Sequence, residues 1–259
     1  MHTVLISDVT MKTLAAGEGR PLSFREKLEL AKLLDRLGVP VIEAEGIEKP
    51  KADALRIKSI ASAVKESELA VPVTLDEENI AAVWAALGEA VSPRLQVPAA
   101  VSPVQMEYIY HKKPAAMLDA VAAAVSACRA RTENVEFIAE DATRADPAFL
   151  VRALETAIGA GAATVTLSDT AGQMLPEEFA AFIERDVVFL KPRRRDLDDD
   201  QVPVFAQHGF HASALGFVNK PAVLFEQGFK TGHSSSALML RSVFRISSTS
   251  AAIVSRGAS

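Results

Sequence analysis

Hydrophobic and polar positions follow two periods along this chain. Short, nearly continuous apolar runs predict strands at 4–9, 39–44, 69–73, 94–101, 135–139, 164–167 and 202–206. Runs of this kind are typical of strands that are buried on both faces of a parallel sheet. The intervals between them carry apolar residues at helical spacing. This alternation of strand and helix predicts a parallel sheet joined by right-handed crossovers.

Capping residues support the predicted helices. Ser23 precedes one helical interval, and Glu26 follows three residues later, which is the pattern of a capping box. Gly38 marks the end of the same interval. Asp146, as the cap, and Pro147, directly after it, mark the beginning of a later helical interval. Period and capping therefore agree on where the helices begin.

The order of elements favours an α/β fold, namely a TIM (β/α)8 barrel whose last β/α unit is atypical or incomplete. An open doubly wound sheet is less favoured, because no strand is followed by a glycine-rich phosphate loop. We expect the barrel to occupy 1–232. The charged block 191–200 is expected to be a solvated loop before the seventh strand.

The C-terminal segment 233–259 departs from this pattern. It is rich in serine, and no acidic residue follows Glu226. We expect a disordered or atypical tail, for which two interpretations remain open. Either the barrel is closed by an atypical segment, or this end is foreign, truncated or altered in reading frame relative to related chains. We favour the second.

Composition narrows the class of protein. With 259 residues, 49% of them hydrophobic, the chain is large enough for one barrel with a substantial core. The net charge of −5 gives no reason to expect nucleic acid or an anionic membrane as a partner. No apolar stretch reaches the roughly 18 residues of a membrane span, and no signal peptide is evident. We therefore expect a cytoplasmic protein, with Cys128 as a buried, inert thiol.

Four of the apolar runs end in acidic residues. These residues are Asp8, Glu43 with Glu45, Glu140 with Asp141, and Asp169. In a closed parallel barrel, the carboxyl ends of all strands lie on one rim, where the active sites of such barrels are found. The pattern therefore predicts an acidic rim that could hold a metal ion or transfer a proton.

The first two strand ends offer a metal site or an ion pair. Asp8, Thr10 and Lys12 would point to one face of an extended strand. A carboxylate beside a cation could bind a divalent metal and polarise a carbonyl group, or form a buried ion pair. Glu43 and Glu45 would likewise share a face, so that one has a raised pKa unless a cation pairs with them.

The later strand ends offer groups that could bind a substrate. Arg144 could hold a carboxylate or phosphate with its planar fork. Alternatively, Asp141 and Thr143 merely cap a turn. Thr170 lies in a short loop before a glycine. His208, after the seventh predicted strand, is the one plausible imidazole ligand, whereas His111 is expected in a surface loop.

Four segments, in order, resemble one known group of enzymes. They are VLISDVTMK, SFREKLELAKLLDRLGVPVIEAEG, VSPVQMEYIYHKKP and VEFIAEDATRADPAFLVRALETAIGAGAATVTLSDTAGQMLPEEF. Together, over roughly 3–185, they resemble the 2-isopropylmalate synthase, homocitrate synthase and HMG-CoA lyase superfamily of metal-dependent barrels. The last segment points to the synthase branch. The resemblance implies a divergent member that joins an acyl-CoA to a 2-oxo acid by Claisen condensation, a step of amino-acid biosynthesis.

The resemblance also implies roles for individual residues. Asp8 matches the metal-binding aspartate, and Lys12 stands where the family has the arginine that stabilises the enolate. The His-x-His pair of the seventh strand aligns with Ala206 and His208, so one imidazole is lost. Gln96 and Gln105 stand where synthases tend to have histidine.

The resemblance therefore names particular site residues, but one imidazole of the family's metal site is missing. Asp8 and His208 would hold Mg²⁺, Mn²⁺ or Zn²⁺. The expected catalytic residues are Lys12, Glu140 and Glu43, and the expected substrate-binding residues are Arg144, Thr170 and Asp141. The implied partners are a 2-oxo acid and an acyl-CoA, with a homodimer left open. Two alternatives remain: a non-catalytic homologue that binds a carboxylate ligand or a partner protein, and a lyase or aldolase that uses Lys12 as a Schiff-base amine.

Overall fold

Nine strands follow one another around a closed barrel in chain order. The structure is a computed structural model that describes residues 3–13, 22–186, 204–208, 225–227 and 242–247, with side chains for 6–12 and 22–183. The charged block 191–200 and the side chain of His208 lie outside the described residues. So do His2, His211 and His233.

The strands confirm the predicted fold class. They are β1 Thr3–Asp8, β2 Val41–Glu43, β3 Glu68–Pro72, β4 Pro93–Ala100, β5 Val135–Glu140, β6 Thr164–Asp169, β7 Val204–His208, β8 Phe225–Gln227 and β9 Ser242–Ser247. Each of the seven predicted strands overlaps one of β1 to β7. Strands β1 to β8 pair in parallel, as in a TIM barrel.

The closing strand differs from the regular pattern. Strand β9 runs antiparallel to both of its neighbours, β8 and β1. It lies within the serine-rich segment that was expected to be atypical. The boundary placed at 232 stays a prediction.

The helices lie between the strands, and the two helices with predicted caps begin directly after those residues. They are α1 Thr10–Thr13, α2 Phe24–Arg36, α3 Pro50–Ala63, α4 Glu77–Leu87, α5 Pro103–Tyr108, α6 Pro114–Arg129, α7 Pro147–Gly159 and α8 Pro176–Asp186, with a 3-10 turn at Ala142–Arg144. At α2, Ser23 and Glu26 form both halves of the capping box. At α7, the side chain of Asp146 accepts a hydrogen bond from the backbone N–H of Phe149.

The core forms between the sheet and its surrounding helices. Leu69, Leu95 and Phe137 are completely buried on neighbouring strands, which explains their continuous apolar runs. Cys128 is buried on α6, and desolvation raises the pKa of its thiol to about 12. The predicted burial of this thiol is thus confirmed. Among the described helices, none combines the length and apolar character that crossing a membrane requires.

Asp35, near the end of α2, anchors the loop that leads into β3. Its buried carboxylate accepts three backbone hydrogen bonds, from Lys65 at 2.9 Å, Glu66 at 3.0 Å and Ser67 at 2.8 Å. Burial alone would raise the pKa of Asp35, but the three N–H donors outweigh it and lower the pKa. Helix α2 is therefore tied to the opposite end of the barrel from the strand carboxyl ends.

We expect Asp35→Ala to lower the free energy of unfolding by about 1–3 kcal/mol, because three backbone donors lose their acceptor. Since the folded-state pKa is depressed, this stabilisation is present above the ordinary pKa of 3.8 and is lost as the pH falls below it. Urea denaturation at neutral and acidic pH measures both effects. Asp119→Ala, at an exposed position on α6, is the matched control. Equal stability of the two variants at neutral pH would contradict the anchoring role.

Candidate active site at the barrel rim

Five strands end in a residue that can carry chemistry. Asp8, Glu43, Glu140, Asp169 and His208 are the last residues of β1, β2, β5, β6 and β7. Because these strands are parallel, their carboxyl ends lie on one rim of the barrel. The expected gathering of acidic strand ends on one rim is confirmed.

Asp8 is a buried carboxylate at this rim, with 2% of its surface exposed. Its two oxygens accept hydrogen bonds from the backbone N–H of Thr10 at 3.0 Å and from the Thr10 hydroxyl at 3.1 Å. Burial raises the pKa of Asp8, the hydrogen bonds from Thr10 lower it in part, and nearby Glu43 raises it further. Within the part of the chain that the structure describes, no lysine or arginine forms a salt bridge with Asp8.

The expected common face of Asp8, Thr10 and Lys12 is wrong. The strand ends at Asp8, and Thr10–Thr13 is a short helix. The two hydrogen bonds from Thr10 to Asp8, with the bond from the Lys12 N–H to the Val9 carbonyl, turn the chain at this point. Lys12 is thereby directed to Glu43 and not to Asp8.

Lys12 and Glu43 form an ion pair at the mouth of the barrel. Lys12 Nζ lies 2.9 Å from Glu43 Oε2 and 3.4 Å from Gln96 Oε1, and the Ser7 hydroxyl donates to Glu43 at 2.9 Å. Burial alone would raise the pKa of Glu43, but the charge of Lys12 and these hydrogen bonds hold it below its usual range. Glu43 is therefore an anion at neutral pH.

Glu45 does not share this environment. Its carboxylate lies 2.6 Å from Lys27 Nζ of α2 and 3.3 Å from Arg56 Nη2 of α3. The alternative in which a cation pairs with these carboxylates is thus confirmed for Glu45. Because Glu43 and Glu45 have separate partners, they do not form a mutually repelling pair.

A buried polar network continues below the rim. Glu136 accepts hydrogen bonds from Gln96 at 3.0 Å, Arg94 at 3.3 Å and Thr166 at 2.6 Å, and Arg94 also pairs with Glu68. This network was not predicted from the sequence. The available signal was the alternation of polar residues with apolar ones inside β4 and β5, since every second side chain of a barrel strand points inward.

Among the side chains that the structure describes, the groups connected here carry an excess of negative charge. The set contains five carboxylates and two cations: Asp8, Glu43, Glu68, Glu136 and Glu140, with Lys12 and Arg94. The formal charge of this set is therefore −3. A cation bound at the mouth would reduce that excess.

Glu140 lies on the opposite side of the mouth from β1 and β2 in the strand order. Its carboxyl group accepts a hydrogen bond from the Tyr110 hydroxyl at 3.1 Å. Burial raises the pKa of Glu140, and the hydrogen bond from Tyr110 and the charge of Lys12 oppose this only in part. Burial and the neighbouring carboxylate also raise the pKa of Tyr110. Tyr110 was not among the residues predicted from the sequence.

The three predicted substrate-binding residues lie together in one internally bonded cluster. Arg144 Nε and Nη2 donate to the two oxygens of Asp141, both at 2.7 Å, and Ser102 also donates to this buried carboxylate. Thr170 Oγ1 accepts from the backbone N–H of Asp141 at 2.9 Å. The planar fork of Arg144 is thus directed at Asp141. Asp169 also has internal partners, since it accepts from Thr143 at 2.8 Å.

His208 and His111 occupy different parts of the fold. In register, His208 is paired with Asp169 of β6 and Gln227 of β8, so its backbone lies on the rim. Among the side chains that the structure describes, no three histidine, cysteine, aspartate or glutamate residues converge as a metal cluster. His111 is exposed, with φ 50°, in the loop after α5, which confirms its predicted surface position.

Several known proteins are similar to this chain in sequence. It is 35% identical over 221 residues to the 2-isopropylmalate synthase of Nitratidesulfovibrio vulgaris, covering 85% of this chain and 42% of that protein. It is 40% identical over 177 residues to the 2-isopropylmalate synthase of a Caulobacter species, covering 68% of this chain and 34% of that protein. The chain therefore spans less than half the length of these curated relatives.

Solved structures with the same fold include HMG-CoA lyases. The lyase from Brucella melitensis matches with a TM-score of 0.62 and 16% identity, covering 81% of this chain and 73% of that chain. The lyase from Pseudomonas aeruginosa matches with a TM-score of 0.56 and 18% identity, covering 73% and 62% respectively. These similarities establish a common barrel fold. Since the HMGL-like family model matches residues 3–193, this chain belongs to the HMGL-like family.

Proposed function

We propose that this chain carries the catalytic barrel of a 2-isopropylmalate synthase-like acyltransferase. The reaction is a Claisen condensation of acetyl-CoA with a 2-oxo acid at a divalent metal, in the cytoplasm. The relatives at 35% and 40% identity support this reaction class. The observation that carries the proposal is the buried carboxylate of Asp8, without a salt bridge from any described residue, on a rim with excess negative charge.

The residues at the rim fit a divalent cation. A carboxylate retains free lone pairs after accepting two hydrogen bonds, so Asp8 can still bind a metal. Asp8 and His208 would hold Mg²⁺, Mn²⁺ or Zn²⁺, because oxygen and imidazole ligands suit these ions. When bound, the metal supplies a Lewis acid for the carbonyl group of the 2-oxo acid.

Lys12 would stabilise negative charge on the enolate oxygen of the acetyl group. Its ammonium group is held by Glu43 and Gln96, and its side chain keeps 28% of its surface exposed at the mouth. A preorganised donor of this kind stabilises charge as it develops. Glu43, as the anionic partner, orients Lys12. A proton-accepting role fits Glu43 poorly, because its pKa is lowered.

Glu140 is the better candidate for removing the proton from the acetyl methyl group. Its raised pKa makes it a stronger base than an ordinary glutamate. Arg144, Thr170 and Asp141 form the substrate wall beside it, where their mutual hydrogen bonds set its shape.

Two observations favour a second candidate, a non-catalytic homologue that binds a carboxylate ligand. The ammonium group of Lys12 is already bonded to Glu43, and Ala206 stands in place of a histidine ligand. A lyase or aldolase that uses Lys12 as a Schiff-base amine is the third candidate.

We expect the chain to bind Mn²⁺. The substitution Asp8→Asn should weaken this binding at least tenfold, because a neutral amide is a poorer ligand than a carboxylate. Calorimetric titration of the full chain with Mn²⁺ measures the affinity directly. Asp119→Asn, on the exposed surface of α6, is the control and should bind as the parent does. If Asp8→Asn and the parent have the same affinity, Asp8 is not a metal ligand.

We expect Lys12→Met to lower kcat for acetyl-CoA with a 2-oxo acid by about 10²–10³-fold, because one preorganised donor to the enolate is lost. Lys12→Arg restores the residue that the family carries and should retain activity. Release of the CoA thiol measures turnover, and circular dichroism checks folding. Full activity of Lys12→Met would contradict the enolate role. A borohydride-trapped adduct on Lys12 with a 2-oxo acid would instead indicate the lyase candidate.

A further inference from the structure

The backbone around Tyr110 is fixed by local hydrogen bonds. The N–H of Tyr110 donates to the Gln105 carbonyl at 3.2 Å, and the N–H of Lys112 donates to the Met106 carbonyl at 2.9 Å. Between them, His111 has φ 50° and reverses the chain after α5. The Tyr110 ring also packs against the hydrophobic core. Its hydroxyl is therefore presented at a defined place on the rim.

The charged and titratable groups that act on Glu140 come from three elements. Tyr110, in the loop after α5, donates a hydrogen bond to Glu140 Oε2 at 3.1 Å. Lys12, on α1, attracts the carboxylate from across the mouth, and Asp141, the next residue in the chain, repels it. Tyr110 is thus the group that bonds Glu140 directly, and Lys12 acts on it through its charge.

We propose that Tyr110 is the positioning residue for Glu140: its hydroxyl holds the carboxyl group at the barrel mouth, on the side that faces Lys12. The catalytic meaning of this contact rests on the proposed condensation. A carboxylate that must take a proton from a methyl group needs a fixed direction as well as a suitable pKa. The Tyr110 hydroxyl supplies that direction without taking part in the bond changes.

The contact also adjusts the acidity of Glu140. Burial raises its pKa, and the hydrogen bond from Tyr110 lowers it, because the bond favours the charged form. Without the hydroxyl, the pKa of Glu140 should rise further, and a smaller fraction would be deprotonated at neutral pH. A tyrosine that only fills space would have no such effect.

The chain offers a matched control for this contact. It contains two tyrosines, and the other one, Tyr108, lies two residues earlier with 69% of its surface exposed. Tyr110→Phe and Tyr108→Phe therefore remove the same atom from nearby positions. The phenylalanine ring keeps the packing of Tyr110, so a change confined to Tyr110→Phe can be assigned to the hydroxyl.

The kinetic test is the pH profile of kcat for the two variants. We expect Tyr110→Phe to lower kcat at neutral pH about tenfold, with little change in KM for the 2-oxo acid, because one hydrogen bond to a charged group is lost. The rising limb of its profile should move to higher pH. Tyr108→Phe should follow the parent. Superimposable profiles for parent and Tyr110→Phe would overturn the proposal.

A second test does not depend on activity. In Tyr108→Phe, Tyr110 is the one remaining tyrosine, so alkaline titration of tyrosinate absorbance follows it alone. We expect its ionisation well above the ordinary pKa of 10.0, and a lower pKa when Glu140→Gln is added. A titration that Glu140→Gln leaves unchanged would overturn the contact. If Tyr110 titrates as expected but the chain does not condense acetyl-CoA with a 2-oxo acid, the contact between Tyr110 and Glu140 is supported and the proposed reaction is rejected.

Discussion

The ion pair between Lys12 and Glu43 joins the ends of the adjacent strands β1 and β2, and the rest of the site depends on it. Without Lys12, Glu43 would be a buried charge with hydroxyl and amide partners. Removing Lys12 is therefore expected to be destabilising, because the carboxylate of Glu43 would stay buried without its cation. The pair therefore restricts substitution at both positions together.

Gln96 connects this ion pair to the interior of the barrel. Its amide contacts Lys12 with the oxygen and Glu136 with the nitrogen, so the rim and the buried interior share one hydrogen-bond network. An interior of this kind gains less from hydrophobic burial than an aliphatic one and depends on complete pairing. The charges of Lys12 and Glu43 at the rim are thereby stabilised by Gln96 on β4, two strands away from β2. The same residues therefore affect both the stability of the barrel and the electrostatics of its mouth.

Much of the fold could be predicted from the chain itself, because local signals and the parallel sheet agree. The seven strands and the caps at Ser23 and Asp146 were recognisable from apolar runs and capping pairs. The partners of the rim residues were not. Whether Lys12 faces Asp8 or Glu43 is decided by the turn at Thr10, and Tyr110 reaches Glu140 across 30 positions of the chain. Such contacts depend on tertiary geometry, which cannot be predicted from the periodicity or the spacing of residues in the sequence.

The antiparallel closing strand determines which end of a strand borders Asp8. Ser242, the first residue of β9, is in register with Asp8, whereas a parallel strand would have its last residue there. Strand β8 ends at the rim with Gln227, so β8 ends and β9 begins on the same side of the barrel. Asp8 is therefore the acidic strand end that has the amino end of a strand beside it, whereas Glu43, Glu140 and Asp169 lie between parallel strands.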